Sequence, residues 1–294
     1  MQQEYPWILD AIANFAAASI KQKSDYLETF YRHHLPLPLQ AQELICDIAA
    51  QSNSFEKNDA HGDLSYWMIQ ALSRCQALKP RAIPVLRALL YSDIWYIRSY
   101  AAVSLGKIGI DDTEIISRIG DLLSDHEGHD DYVYEYALMA LTHIGKIGQQ
   151  ELPKIYDLAY SYILDENSGG WHDPGQYLPD CLVSMEVRTP EAFEILYSLA
   201  RQRRYSGYDA CLALALLDAP DEESRLAIAN YICGEHFDFG NAKKLHDLIN
   251  ALINVAGPGH PLIEQCLRHL SNDYDEEVAC IAKEYLLQQF PENI

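Results

Sequence analysis

An internal repeat constrains the fold of this chain more than any other feature of its sequence. The segment SYAAVSLGKIG at 99–109 aligns with EYALMALTHIG at 135–145, an offset of 36 residues. The apolar runs that precede these segments end at Leu89–Leu90 and Leu122–Leu123, an offset of 33 residues. A period of roughly 30–40 residues with two helices per unit is typical of an α-solenoid, in which stacked helix pairs bury apolar faces that one pair alone leaves exposed.

The rest of the chain favours helices over strands. The apolar residues around 245–256 and 278–286 recur at steps of three and four, so each segment carries a single apolar stripe. Thr189-Pro190-Glu191 predicts a helix start, with a capping hydroxyl, a proline at the first helical position and an acid in the first turn. Gly106 and Gly109 predict a helix stop. The predicted class is therefore all-α.

The segment 82–109, AIPVLRALLYSDIWYIRSYAAVSLGKIG, resembles one unit of a HEAT repeat protein, of the short bacterial kind also seen in phycobilin lyases. Ala101 and Ala102 fall where such a unit packs its helices closely. The resemblance implies that Asp93 and Arg98 form a structural ladder between units, as the turn aspartate and helix arginine do in HEAT repeats. It also implies a right-handed α-solenoid of about seven HEAT-like helix pairs.

We predict one solenoid domain over 1–294. A cap at 1–34 precedes repeats at about 38–78, 80–109, 113–148, 150–187, 190–218, 220–257 and 260–290. The structural alternative is a five-helix bundle followed by a second helical domain, although no stretch of linker-like composition divides the chain.

The charge balance restricts the possible partners. The chain has 22 Lys and Arg against 43 Asp and Glu, a formal net charge of −21. Nucleic acids and anionic membranes need a positive surface, so we expect neither of them as a partner and predict a basic protein instead. The N-terminal segment lacks the pattern of a signal peptide or a membrane span, and the seven cysteines show no C-x-x-C pairing. These features predict a soluble cytoplasmic protein.

The loops that join the first helix of each pair to the second combine carboxylates with large aromatic residues. Rigid aromatic side chains are the usual energetic anchors of protein interfaces, and carboxylates attract a basic partner. The predicted partner-binding residues are Trp95, Tyr96, Asp130, Asp131, Tyr132, Tyr134, Trp171, His172, Asp173 and Tyr208. The alternative is that some of these aromatic residues, like Trp67, Tyr100 and Tyr136, pack between repeats.

No catalytic motif is evident. His126 and His129 are weak candidates for a metal site, because the spacing H-E-x-H differs from the helical H-E-x-x-H of zinc enzymes. The His-Glu dyads that hold iron in deoxyhypusine hydroxylase, another enzyme built of such repeats, are replaced by Ser99-Tyr100 and Glu135-Tyr136. We therefore expect no cofactor and no enzymatic activity.

Three functional hypotheses follow. The first is a non-catalytic protein-binding scaffold, in its sharpest form an acidic inhibitor of the immunity-protein type that clamps a basic partner. The second is a phycobilin-lyase-like or chaperone-like protein that acts on a cofactor-bearing protein. The third is a metal-dependent enzyme that uses the loop histidines.

Overall fold

A computed structural model describes residues 6–32, 36–51, 62–125, 132–163, 174–201, 205–219, 221–234 and 242–291. Within these ranges the chain forms sixteen α-helices joined by loops and 3₁₀ turns, and it forms no strand. The helices are α1 (Pro6–Asn14), α2 (Ile20–Arg32), α3 (Leu39–Gln51), α4 (Gly62–Leu72), α5 (Lys79–Leu89), α6 (Trp95–Ile108), α7 (Thr113–Asp121), α8 (Tyr132–Ile144), α9 (Leu152–Ile163), α10 (Leu178–Ser184), α11 (Pro190–Arg201), α12 (Tyr205–Leu216), α13 (Glu222–Ile232), α14 (Ala242–Ala256), α15 (Pro261–Leu270) and α16 (Glu276–Gln289). The predicted all-α class is confirmed.

The chain divides into two compact units, Met1–Lys154 (unit 1) and Ile155–Ile294 (unit 2). In unit 1, α1, α3 and α5 pack in sequence as one layer, and α2, α4, α6 and α8 pack as another. In unit 2, α11, α13 and α15 form the first layer, and α10, α12, α14 and α16 form the second. We call the layer of second helices the B layer in each unit. Every predicted repeat encloses one consecutive helix pair, and the prediction of one domain over 1–294 stays a prediction.

Helix α6 shows why the repeats stack so closely. Ten of its fourteen residues are buried, among them Ala101, Ala102 and Gly106. A Cβ atom added to Gly106 would lie 2.6 Å from the backbone oxygen of Ala140 in α8. The small residues therefore let the backbones of neighbouring B-layer helices approach one another. Because α6 is enclosed on most sides, it has no broad polar face of the kind that a surface helix carries.

The helix ends follow local chemistry. Gly109 ends α6 with a φ of 77°, a left-handed conformation that glycine adopts without steric cost. Asp112 then caps α7 by accepting hydrogen bonds from two backbone amides of its first turn. Thr189 Oγ1 accepts from the Ala192 amide 3.3 Å away, which confirms the helix start predicted there. Gly106 lies inside α6 rather than at its end, so Gly109 alone is the stop.

Arg98 joins successive repeats through a buried ion pair. Its guanidinium is 4% exposed and lies 2.8 Å from the carboxylate of Asp125, in the turn of the next repeat. It also donates to the carbonyl of Ser92 over 2.7 Å. Asp93 itself is exposed. Arg98 therefore links consecutive units, as expected of a ladder, and its carboxylate partner comes from the following turn.

Candidate functional site

The predicted partner-binding residues fall into two groups. Asp130, Asp131, Trp171, His172 and Asp173 lie outside the described residues, as do the metal candidates His126 and His129. Trp95, Tyr96, Tyr134 and Tyr208 lie within them, and Tyr132 is described only as the first residue of α8. The described members occupy B-layer helices in both units.

A row of rings, which we call the aromatic face, runs across the B layer of unit 1. Its members are half-buried and lie on α2, α4, α6 and α8: Tyr31, Tyr66, Trp67, Tyr96, Tyr100 and Tyr136. Tyr66 and Tyr100 have ring centroids 4.6 Å apart in an edge-to-face arrangement, and Tyr100 and Tyr136 are 5.3 Å apart. Tyrosines recur here at intervals of 34–36 residues, so the repeat itself places one ring per helix in the row.

Burial in the row changes the chemistry of the phenols. The pKa of Tyr100 is raised to about 12, mainly by burial and secondly by the neighbouring Tyr136. Burial also raises the pKa of Tyr66. Both phenols therefore stay protonated up to a higher pH than a free tyrosine does. Trp95 packs edge-to-face on Tyr96 with centroids 5.8 Å apart. Tyr134, in contrast, is 8% exposed, so it offers a partner little surface.

Cations border the aromatic face. The Arg32 guanidinium lies 5.2 Å from the ring of Trp67, and Lys107 Nζ donates to the hydroxyl of Tyr31 over 2.8 Å. A pocket of about 640 Å³ opens beside them, lined by Tyr31, Pro36, Leu37, Gln42, Ser73, Arg74, Gln76 and Lys107. Lys107 lies in the last turn of α6, and Arg74 donates to the Tyr31 carbonyl at the end of α2. These cations stabilise helix C-termini, which accounts for their presence without a ligand.

Unit 2 carries a second surface, which we call the acidic face: Asp180 on α10, Tyr208 and Asp209 on α12, and Asp247 on α14. Tyr208 donates its hydroxyl to Asp247 over 3.0 Å. Burial, and then this hydrogen bond to a carboxylate, raises the pKa of Tyr208 to about 12. The tyrosine thus ties α12 to α14 and places a phenol beside Asp247.

Asp209 is a half-buried member of the acidic face. Burial raises the pKa of its carboxyl, the neighbouring charge of Asp180 raises it further, and Lys244 opposes the shift. Lys244 Nζ lies 5.1 Å from the ring of Tyr208. Within the described part of the chain, no donor hydrogen-bonds Asp209. A half-buried carboxylate held next to another one costs folding free energy, and such groups cluster at functional sites.

A cation from outside the chain would relieve this cost. A lysine or arginine side chain placed beside Asp209 would favour its charged form, as Lys244 of the chain itself does. This face can therefore accommodate a positive group.

The described residues contain no group of three or more His, Cys, Asp or Glu side chains that is arranged to hold a metal ion. None of the helices in the described ranges has the length and apolar character needed to cross a membrane.

Sequence reasoning identified Tyr208 but assigned no role to Asp180, Asp209 or Asp247. Asp180 and Asp247 lie within helices, whereas the predicted binding residues come from the loops between helices. A local signal exists at Asp209, which opens the otherwise apolar run ACLALALL at 210–217. A charge next to such a run, on a helix that is buried on most sides, indicates a group held near the protein interior.

No family model matches this sequence, and no curated protein matches it. Solved structures do. The chain is similar to a protein in the complex of CpcE and CpcF of phycocyanin lyase from Nostoc sp. PCC7120, with 16% identity, a TM-score of 0.50, and coverage of 88% of this chain and 97% of that chain. It is also similar to the karyopherin Kap121p, solved bound to the extreme C-terminus of the protein phosphatase Cdc14p, with 12% identity and a TM-score of 0.58. That match covers 97% of this chain and 34% of the karyopherin. These likenesses concern the fold, and they confirm a helical solenoid of HEAT-like repeats.

Proposed function

We propose that this HEAT-like repeat protein is a non-catalytic scaffold that binds a basic protein, with the acidic face as its contact for lysine or arginine. The observation that carries the proposal is Asp209, a half-buried residue of α12 that accepts no hydrogen bond among the described residues and whose pKa is raised by burial and by the charge of Asp180. The net charge of −21 also favours a positively charged partner, because long-range attraction speeds the encounter with a positive surface.

The aromatic face supports the same type of function. Half-buried tyrosine and tryptophan rings provide contact area with little loss of side-chain entropy, and interfaces are enriched in them. Within this proposal, an acidic inhibitor of the immunity-protein type is the sharpest version, since such a protein needs only to cover the basic surface of its target. Among the similar structures, Kap121p was solved bound to a segment of Cdc14p, and CpcE and CpcF were solved in complex with each other.

A charge-matched pair of variants tests the proposal. The double variant Asp180→Asn with Asp209→Asn removes two charges from the acidic face. The control, Glu222→Gln with Glu223→Gln, removes two charges from α13, where both side chains are about 60% exposed. Immobilised protein captures partners from an extract of the source cells, and captured proteins are eluted with increasing salt and identified.

We expect the wild type and the control to retain one basic protein that salt releases, and the Asp180/Asp209 variant to lose it. Binding of the purified partner should weaken by more than about tenfold, the scale of a buried charged contact at an interface. Equal retention by the acidic-face variant and the control would contradict the acidic face as the binding surface. Retention only of acidic or uncharged proteins would contradict the predicted partner.

The likeness to a phycocyanin lyase protein over 97% of that chain favours a second candidate, a lyase-like protein that acts on a cofactor-bearing protein. Mixing the purified chain with a linear tetrapyrrole tests it by absorption spectroscopy. A new visible band at a one-to-one ratio supports this candidate, and an unchanged pigment spectrum removes it. The scaffold proposal predicts the unchanged spectrum.

A further inference from the structure

Two cysteines of unit 2 lie in contact although 33 positions separate them in sequence. Cys233 is the residue that ends α13, and Cys266 lies in α15, the neighbouring helix of the same layer. Their sulfur atoms are 2.8 Å apart, and both residues are free thiols. One thiol hydrogen-bonds the other, so a bond between the two sulfurs needs only a small further approach.

The two thiols differ in access and in acidity. Cys233 is half-buried, whereas Cys266 is 2% exposed. The hydrogen bond from Cys266 lowers the pKa of the Cys233 thiol against the opposing effect of burial, and the same interaction raises the pKa of Cys266. Cys233 is therefore the sulfur that a small oxidant reaches, and the one that ionises first.

We propose that Cys233 and Cys266 are a redox modification site, which hydrogen peroxide converts to a disulfide that links α13 to α15. The Cys233 thiolate attacks one peroxide oxygen, the O–O bond breaks, and hydroxide leaves and takes up the Cys233 proton as water. The resulting sulfenic acid is attacked by the sulfur of Cys266, the S–O bond breaks, and the hydroxyl leaves as water with the Cys266 proton. Two thiols lose two electrons, and one peroxide is reduced to two waters.

In a reducing compartment a pair of this kind responds to oxidant rather than acting as a permanent bridge. This inference goes beyond the proposed function and does not depend on it. The linkage would join the two first-layer helices of consecutive repeats in unit 2, and it would restrict their separation in the unfolded chain.

The chain provides internal controls. Cys46 and Cys75 also form a thiol–thiol hydrogen bond, but they are 1% and 0% exposed. Cys280 is exposed. If proximity alone determined oxidation, Cys46 and Cys75 would react as well. If exposure alone determined it, Cys280 would react first.

The experiment treats the reduced full-length protein with hydrogen peroxide, blocks the remaining thiols with N-ethylmaleimide in denaturant, and maps the peptides by mass spectrometry. We expect a Cys233–Cys266 disulfide within one molecule, formed at least about tenfold faster than Cys280 is oxidised, as expected for a thiol with raised thiolate content. In Cys266→Ser, dimedone should trap a sulfenic acid at Cys233. In Cys233→Ser, Cys266 should stay reduced, and dithiothreitol should reverse the modification of the wild type.

The mapping is done on the wild type, so it does not depend on how the variants fold. The oxidised protein should also melt several degrees higher than the reduced one, and the Cys266→Ser variant should show no such rise on oxidation. Absence of the Cys233–Cys266 disulfide at peroxide levels that oxidise Cys280 would overturn the proposal. Equally fast oxidation of Cys46 and Cys75 would overturn it too, because the pair would then have no special access.

Discussion

At the scale of single residues, burial decides what a charge contributes. Arg98 and Asp125 form an ion pair with side chains 4% and 13% exposed, whereas Arg87 and Glu114 pair with 41% and 70% exposed. Removing one member of a buried pair takes the opposite charge away from a side chain that water reaches poorly, while an exposed pair is screened by water.

We therefore expect Arg98→Ala to lower the free energy of unfolding by about 3–5 kcal/mol. The matched change Arg87→Ala, in the helix before, should lower it by about 1 kcal/mol or less. Urea titration followed by circular dichroism measures both values. Equal losses in the two variants would show that Arg98 does not join consecutive repeats as its contacts indicate.

Asp209 should show the opposite sign. The pKa of its carboxyl in the folded state is raised above the ordinary value of 3.8. At neutral pH the charged carboxylate is therefore less favourable in the folded state than in the unfolded chain, which lowers the free energy of unfolding. Asp209→Asn should therefore stabilise unit 2 at pH 7 by about 0.5 kcal/mol or more. The gain should shrink as pH falls through the raised pKa, and it should vanish below the unfolded value, where the wild-type carboxyl is neutral in both states.

Melting curves between pH 3 and pH 8 measure this difference, with Asp218→Asn as the control because Asp218 is 75% exposed and pairs with Arg188. A variant that gains stability and also loses partner binding is the pattern expected of a functional residue. If Asp209→Asn is less stable than the wild type at pH 7, the carboxylate has a structural role instead.

At the scale of helices, small residues set the distance between neighbouring B-layer elements. Ala102 and Gly106 are four residues apart and share one face of α6, and Gly106 leaves no room for a Cβ atom against α8. A larger side chain at Ala102 must displace a helix rather than fill a void.

Ala102→Leu should therefore cost about 1–3 kcal/mol of unfolding free energy through overpacking. Ala88→Leu is the matched control, since Ala88 is an exposed residue of α5 and the same atoms are added there to solvent. Chemical denaturation gives the free energy of unfolding of both variants, and their difference shows how much of the loss comes from the buried position rather than from the larger side chain itself. An unchanged midpoint for Ala102→Leu would mean that α6 and α8 are further apart than the Gly106 contact implies.

At the scale of the whole molecule, the sequence predicted what repeats and missed what does not. Helical spacing and the 99–109 to 135–145 alignment identified the stacked helix pairs, because each depends on a regular period. The acidic face was not predicted, because Asp180, Asp209 and Asp247 are spaced by 29 and 38 residues and so follow no single repeat period. Their proximity comes from the packing of α10, α12 and α14, which composition and periodicity do not specify.

The N-terminal helices provide the last prediction, since a stacked array needs its terminal apolar faces covered. Leu27 and Phe30 of α2 are fully buried in unit 1, and α2 packs along α4. Deleting residues 1–34 removes these side chains and exposes the apolar surface of α4 to water. We expect the truncated chain to aggregate on size-exclusion chromatography. The milder change Leu27→Ala should cost about 2–5 kcal/mol by creating a cavity. Ile20→Ala, at a position 45% exposed on the same helix, should cost much less. A monomeric truncation that unfolds in one cooperative step would show that α1 and α2 are an addition to the array and not its cap.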